Sequence, residues 1–130
     1  MNNFATDVKQ LLLENGFGDG YAEIYIDFDR DERNRIAVFS VGGSSPISAL
    51  DPDDSMERPM CRIYVYHASA TTAESTINSI LDFLKRQNNI KIGDTSYCFF
   101  RDRNGVNYQG RDSNNYVGYY VNISTIRRKE

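Results

Sequence analysis

Histidine and cysteine are scarce in this 130-residue chain, which contains one histidine and two cysteines. A catalytic triad needs a histidine beside its nucleophile, and a tetrahedral zinc site needs four ligands, so neither has enough material here. Cys61 and His67 stand six residues apart on one predicted strand, about 20 Å from each other, which prevents a direct hydrogen bond. Two cysteines make no disulfide framework, which favours synthesis in a reducing cytoplasm. The sequence predicts no enzyme, no metal site and no cofactor.

Long apolar runs and an excess of basic residues are also missing. No stretch approaches the roughly 20 apolar residues that cross a membrane, and the first residues lack the positive charge and apolar run of a signal peptide. The net charge is −3 and the pI is about 5.2, whereas nucleic-acid binding usually goes with a basic patch and a high pI. We therefore expect no membrane contact, and the slightly acidic balance disfavours a nucleic-acid-binding domain without excluding it.

Three patterns resemble known sites without meeting their requirements. Asp27, Asp29 and Asp31 alternate like the start of a calcium-binding loop, but Glu32 and Val38 occupy the positions that need Gly and Glu. Three alternating glycines leave a predicted helix and enter a strand, which is the reverse of the order in dinucleotide-binding motifs. The acidic residues of a Pro-rich loop have nothing nearby that could bury and tune one of them. All three patterns are typical of turns and solvated loops.

The hydrophobic periodicity predicts two helices and about five strands in the order α-β-β-β-α-β-β. Asn3 is the expected cap of the first helix, Asn15-Gly16 its expected end, and Thr71 with Glu74 has the spacing of a capping box for the second. The predicted elements are a helix from Phe4 to the Asn15-Gly16 stop, strands over 21–28, 36–41 and 60–67, a helix over 72–86, and strands over 97–101 and 117–124.

The order of elements predicts an α+β fold, in which a mostly antiparallel sheet has both helices packed on a face. We expect a single domain of residues 1–130. The short connection between the first two strands predicts antiparallel pairing. Residues 42–58, rich in Gly, Ser, Pro and Asp, predict a long surface loop or arm. Asn104-Gly105 is typical of a turn. The basic tail Arg127-Arg128-Lys129 is expected to fray.

Two stretches resemble the tail-terminator proteins of long-tailed bacteriophages, also called minor capsid proteins. The first is RPMCRIYVY at residues 58–66, followed by Ala70 and the helix over 72–86, which looks like the Pro-led strand, small-residue link and helix of that family. The second is QGRD at residues 109–112 with the aromatic strand over 116–126, which is similar to the family's Gly-Arg-Asp turn and terminal strand. The resemblance spans nearly the whole chain, although Met60-Cys61 and the 42–58 arm depart from the family pattern.

The resemblance implies a homo-oligomeric ring, usually a hexamer, at the head-proximal end of a phage tail. Such a ring stops polymerisation of the tail-tube protein and offers a surface to the head connector protein, while DNA passes through its lumen without specific binding. The protein would be made in the cytoplasm of the bacterial host and would end in the virion. Its work would be done by complementary surfaces, without covalent chemistry.

Tyrosines and arginines on exposed strand faces are the expected contact residues, because these types are enriched at interface centres. A tyrosine on such a face can also do no more than fill the sheet. The candidate interface residues are Arg62, Tyr64, Tyr66, Arg101, Arg111, Asp112, Tyr116 and Tyr120. Two alternatives stay open: a head-closure or tail-completion protein of the head–tail connector, and a small nucleic-acid-binding domain.

The acidic residues Asp51, Asp53, Asp54 and Glu57 are expected in the arm or along the lumen of the ring, where like-charge repulsion would keep DNA from sticking. Neutralising the three aspartates should then change DNA passage in a tail-assembly assay and leave ring formation intact. A loss of assembly would contradict the lumen role.

Overall fold

The computed structural model describes residues 3–29, 33–47 and 56–129, which form two helices and a six-stranded sheet. The strands lie in the order β1-β2-β3-β6-β5-β4, and every neighbouring pair is antiparallel except β1 and β2. The predicted α+β class is confirmed, although the sheet has one strand more than expected. In chain order the elements are α1 (Phe4–Glu14), β1 (Ile24–Ile26), β2 (Arg35–Ile47), β3 (Met56–His67), α2 (Ala70–Lys85), β4 (Asn88–Ile92), β5 (Thr95–Arg111) and β6 (Val117–Lys129).

The helices begin and end at side chains that satisfy their free backbone groups. Asn3 caps α1 as predicted, since its side-chain oxygen accepts a hydrogen bond from the amide two residues on at 2.9 Å. Gly16, with φ of 81°, lets the chain leave α1. The second helix starts at Ala70 rather than residue 72, because Ser69 is its cap and accepts from the Thr72 amide. Neither described helix is long and apolar enough to cross a membrane.

Both helices pack against the same face of the sheet. The stripes of α1 (Val8, Leu12) and α2 (Ile77, Ile80, Leu84) are fully buried in one apolar cluster with the inward side chains of the sheet. Those inward side chains include Ile36, Val38, Cys61, Ile63, Val65, Val121 and Ile123. We call the opposite side of the sheet the open face. Its residues include Arg35, Phe39, Arg62, Tyr64, Tyr66, Tyr120 and Asn122.

The pairing of the first two strands differs from the prediction. β1 and β2 run parallel, with Ile24 beside Ile36 and Ile26 beside Val38. A parallel connection normally needs a dozen residues or more, because the chain has to run back along the full length of the first strand. Here β1 has only three residues, a length of about 10 Å, so the eight positions between β1 and β2 suffice. The ion pair between Asp29 and Arg35 holds this connection against the start of β2.

The segment 42–58 is partly strand, so the expectation of irregular structure is wrong for its flanks. β2 continues to Ile47 and β3 starts at Met56, and the two remain paired at Ser44 with Arg58 and at Ile47 with Met56. Register shifts between these pairs absorb the Gly and Ser residues that weakened the strand pattern. The middle of the predicted arm, residues 48–55, lies outside the described residues.

The last two strands are longer than the sequence predicted. Asn104-Gly105 is no turn: both residues have positive φ and lie within β5, at a register shift that lets the strand continue. The basic tail is not frayed, because β6 pairs with β5 up to Lys129 and Arg127 is buried. The strand that the prediction missed, β4, has five residues, too short for a clear period of two.

A buried polar cluster joins α1 to the C-terminal strand. Asp7 of α1 accepts a hydrogen bond from the Tyr97 hydroxyl of β5, and that hydroxyl also accepts from Arg127 of β6 at 3.2 Å. Arg127 in turn pairs with Glu57 of β3 at 3.0 Å. Burial and the neighbouring Asp7 carboxylate raise the pKa of Tyr97, which keeps its hydroxyl protonated as a donor. Four elements are thereby tied together inside the core.

Substituting Tyr97→Phe should destabilise the protein by about 1–3 kcal/mol, since it removes a hydrogen bond from a buried carboxylate. The matched control is Tyr108→Phe, because the Tyr108 side chain is 62% exposed. Urea unfolding followed by circular dichroism measures both. Equal midpoints for the two variants would contradict a stabilising role for the cluster.

Candidate interaction surface

The centre of the open face is a group of aromatic side chains around Tyr64. Its ring centroid lies 6.0 Å from Tyr66 along β3, 5.5 Å from Tyr120 on β6 and 5.6 Å from Phe39 on β2. The rings of Phe39 and Tyr120 come from strands that pair directly with β3. The rings of Phe39, Tyr64 and Tyr120 are half-buried, so they present apolar area and phenolic hydroxyls to the surface.

Arg62 fixes one side of this aromatic group. Its Nε donates to the Asn122 side-chain oxygen at 2.7 Å, and Nη1 donates to the Tyr64 hydroxyl at 3.3 Å. The guanidinium carbon lies 4.7 Å from the centroid of the Tyr120 ring, a cation–π distance. Arg62 is thus held in one orientation by its neighbours before any partner arrives, which reduces the entropy that binding would cost.

Arg35 occupies the other side of the aromatic group and is 1% exposed. Its guanidinium pairs with Asp29 at 2.5 Å and with Asp112 at 2.9 Å. The Tyr66 ring covers it at 4.0 Å. Burial lowers the pKa of Arg35, and the two carboxylates more than offset this, so its pKa lies above the ordinary value. We call Arg35 with Asp29, Asp112 and Tyr66 the clamp. It links the β1–β2 connection, β3 and the turn before β6.

Tyr66 lies between Arg35 and Gly118. A Cβ atom at Gly118 would come within 2.4 Å of the Tyr66 ring, so only glycine allows the ring its place over the guanidinium. Burial, with the nearby Asp29 carboxylate, raises the pKa of Tyr66 to about 12. The phenol therefore stays neutral throughout the physiological pH range.

The predicted interface residues fall into three places. Four of them, Arg62, Tyr64, Tyr66 and Tyr120, lie side by side at the centre of the open face. Three more, Arg111, Asp112 and Tyr116, lie in or beside the turn before β6, at one end of the open face. The eighth, Arg101, lies at the opposite end of the open face, across from Ser124.

The three residues at the turn have structural partners of their own. Asp112 accepts hydrogen bonds from the amides of Asn114 and Tyr116, both at 2.9 Å, and its carboxylate also binds Arg35. Arg111 donates to the backbone oxygen of Asn115 at 3.3 Å. Asp112 therefore positions the turn and the clamp, while Arg111 remains exposed.

Sequence reasoning missed the residue at the centre of the clamp. Arg35 directly precedes the nearly all-apolar run from Ile36 to Val41, and a charged residue so placed is expected to have a partner when it enters the sheet. Its partners Asp29 and Asp112 are 6 and 77 positions away, so the pattern could have flagged the arginine but not the pair. Arg58 and Arg103, which lie near Arg101, were missed as well.

The predicted arm and lumen acids are only partly located. Asp51, Asp53 and Asp54 lie outside the described residues. Glu57 is bound to Arg127 at the base of the arm, where it supports the buried polar cluster. Its position on β3 fits an arm residue, whereas a place along a lumen remains a prediction.

The nucleophile and metal candidates show no catalytic arrangement in residues 3–29, 33–47 and 56–129. Cys61 faces the core, where burial raises the pKa of its thiol. His67 accepts a hydrogen bond from the Ser69 amide at the start of α2. Within those same ranges no three histidine, cysteine or carboxylate side chains are grouped so that they could hold a metal ion.

Comparison with known proteins finds similarity in structure and none in sequence. No protein-family profile matches the sequence, and no curated protein matches it significantly. Among solved structures, the chain is similar to a chain from the virion of a native gene transfer agent particle. The two are 11% identical with a TM-score of 0.69, and the match covers 96% of this chain and 94% of the other. At this identity the likeness establishes a shared fold.

Substituting Gly118→Ala should cost about 1–3 kcal/mol of stability, because the added methyl pushes the Tyr66 ring off Arg35. In a Tyr66→Ala background the same substitution should cost little, since the obstructing ring is gone. Urea unfolding of the single and double variants measures this coupling. Additive effects of the two substitutions would show that the contact between Gly118 and Tyr66 does not limit packing.

Proposed function

We propose that this chain is a structural protein of a phage-type virion, and specifically a tail terminator that forms a ring on the tail tube. The observation that carries the proposal is the full-length fold likeness to a chain of a gene transfer agent virion. It agrees with the independent sequence resemblance to tail terminators, which rests on residues 58–86 and 109–126. The ring would end tube polymerisation and present a surface to the head connector.

The open face supports this proposal as a contact surface. Its aromatic group and Arg62 are already ordered by contacts within the sheet, and no helix among the described residues covers them. Residues of these types, fixed before binding, are the ones that dominate protein–protein interfaces.

A ring also needs a second, different patch on each subunit, because a closed cyclic contact joins unlike surfaces. The groove between α1 and β1, which Leu13 and Ile26 help to line, is a suitable candidate. Leu13 of α1 is 50% exposed and Phe28, just after β1, is 51% exposed. β1 is also an edge strand, and its outer side has no partner strand among the described residues. We propose that this edge meets the open face of the neighbouring subunit.

The test is the length of tail tubes grown in vitro from purified tube protein. Wild-type chain should stop growth and give capped tubes in electron micrographs. The double variant Tyr64→Ala/Tyr120→Ala should remain folded, since both rings are half-buried on the open face, but should lose at least about tenfold in capping activity.

The control is Tyr108→Ala, which removes an exposed tyrosine whose ring meets Tyr119 edge to face, away from the open face. It should cap tubes as the wild type does. Full capping by the double variant would mean that the open face is not the contact surface. Wild-type chain that leaves tube growth unchanged but joins heads to finished tails would favour the head-closure alternative.

A further inference from the structure

Three arginines line a shallow cavity at the end of the open face away from Arg35. Arg58 of β3 and Arg101 and Arg103 of β5 surround a space of about 420 Å³. Met60, Phe99 and Ser124 form most of its remaining wall. The three arginines are exposed, and they come together because β3, β6 and β5 are neighbours in the sheet.

The arrangement orients the arginines without neutralising them. The guanidinium of Arg101 lies 4.4 Å from the centroid of the Phe99 ring, and Arg103 contacts the Met60 sulfur at 3.5 Å. Among the described residues, no carboxylate forms an ion pair with any of the three arginines. Asp102, between two of them in sequence, points to the other face and pairs with Lys85 at 3.4 Å.

Three like charges around one cavity repel each other unless an anion joins them. By contrast, Arg35 and Arg127 do form ion pairs, and their carboxylate partners belong to the same chain. Guanidinium groups bind carboxylates through paired, charge-assisted hydrogen bonds. The cavity is therefore suited to an acidic segment that offers several carboxylates over a short length.

The sequence contains one such segment. Residues 51–54 read Asp-Pro-Asp-Asp, three carboxylates for three guanidinium groups, on the chain that joins Ile47 to Met56. We propose that the arginine cavity binds the acidic residues 51–54 of a neighbouring copy of this chain. The inference rests on the proposed ring, in which every copy presents both its cavity and its acidic segment. It gives the aspartates a role between subunits, in place of the lumen role that the sequence suggested.

A charge-swap experiment tests this pairing. Arg101→Glu/Arg103→Glu and Asp53→Arg/Asp54→Arg should each weaken self-assembly by about tenfold or more in light-scattering mass measurements, because both place like charges in contact. The four substitutions combined in one chain should restore assembly, since the pairing is then reversed. Arg86→Glu/Lys91→Glu makes the same change in net charge as the arginine variant, at the residue that follows α2 and on β4, and should leave assembly unchanged.

Each contrary result has a distinct meaning. If wild type assembles and both charge-reversed variants assemble equally well, the pairing is wrong and the ring stands. If the arginine variant loses stability in urea but still assembles, the acidic segment binds within its own chain. A third contrary result would be that the charge-reversed variants assemble normally while the wild type, but not the arginine variant, binds a duplex oligonucleotide in a salt-dependent way. DNA would then be the ligand of the cavity. If wild type never assembles, alone or on tail tubes, the proposed function fails and this inference with it.

Discussion

Helices cover only one face of this sheet, and that constraint governs the rest of the molecule. The covered face is therefore mostly apolar, with Ile36, Ile63 and Ile123 among its fully buried side chains. The open face must hold together without helices above it, so its side chains have to bury and satisfy one another. They do so around two guanidinium groups, those of Arg35 and Arg62, which lie against aromatic rings. The result is a surface that is ordered and rich in tyrosine, yet accessible.

Arg35 shows how far this mutual support extends. A guanidinium with 1% exposure would be strongly destabilising without compensating charges. Asp29 and Asp112 supply them from two loops that are distant in sequence. The clamp thus fixes the connection behind the parallel pair of β1 and β2 and the turn before β6. Both are at the end of the open face opposite the arginine cavity, so the two ends have different charge characters: neutralised at one end and positive at the other.

Local patterns predicted the helices, the central strands and the α+β class, because caps and hydrophobic periods act over a few residues. Predictions failed where distant contacts decide the outcome. Parallel pairing of β1 depends on its length of three residues, and β5 passes through Asn104-Gly105 because β6 pairs on both sides of that position. The tail is ordered because Arg127 meets Tyr97 and Glu57, which no local pattern encodes.

The same division between local and distant information applies to the placement of the candidate interface residues. Alternation along β3 and β6 placed Arg62, Tyr64 and Tyr120 on one face, since strand geometry puts every second side chain there. The partners of Arg35 and the grouping of Arg58 with Arg103 depend on which strands are neighbours. The sequence pattern did not predict the order of strands β3, β6 and β5, so it could not predict these contacts.

The most direct test of the account is the mass of the protein in solution, measured by light scattering over a concentration series with and without tail-tube protein. The account predicts a discrete closed oligomer of 14.9 kDa subunits, a hexamer if the family resemblance holds, forming alone or on the tube end. A monomer at every concentration that also fails to associate with the tube would contradict it.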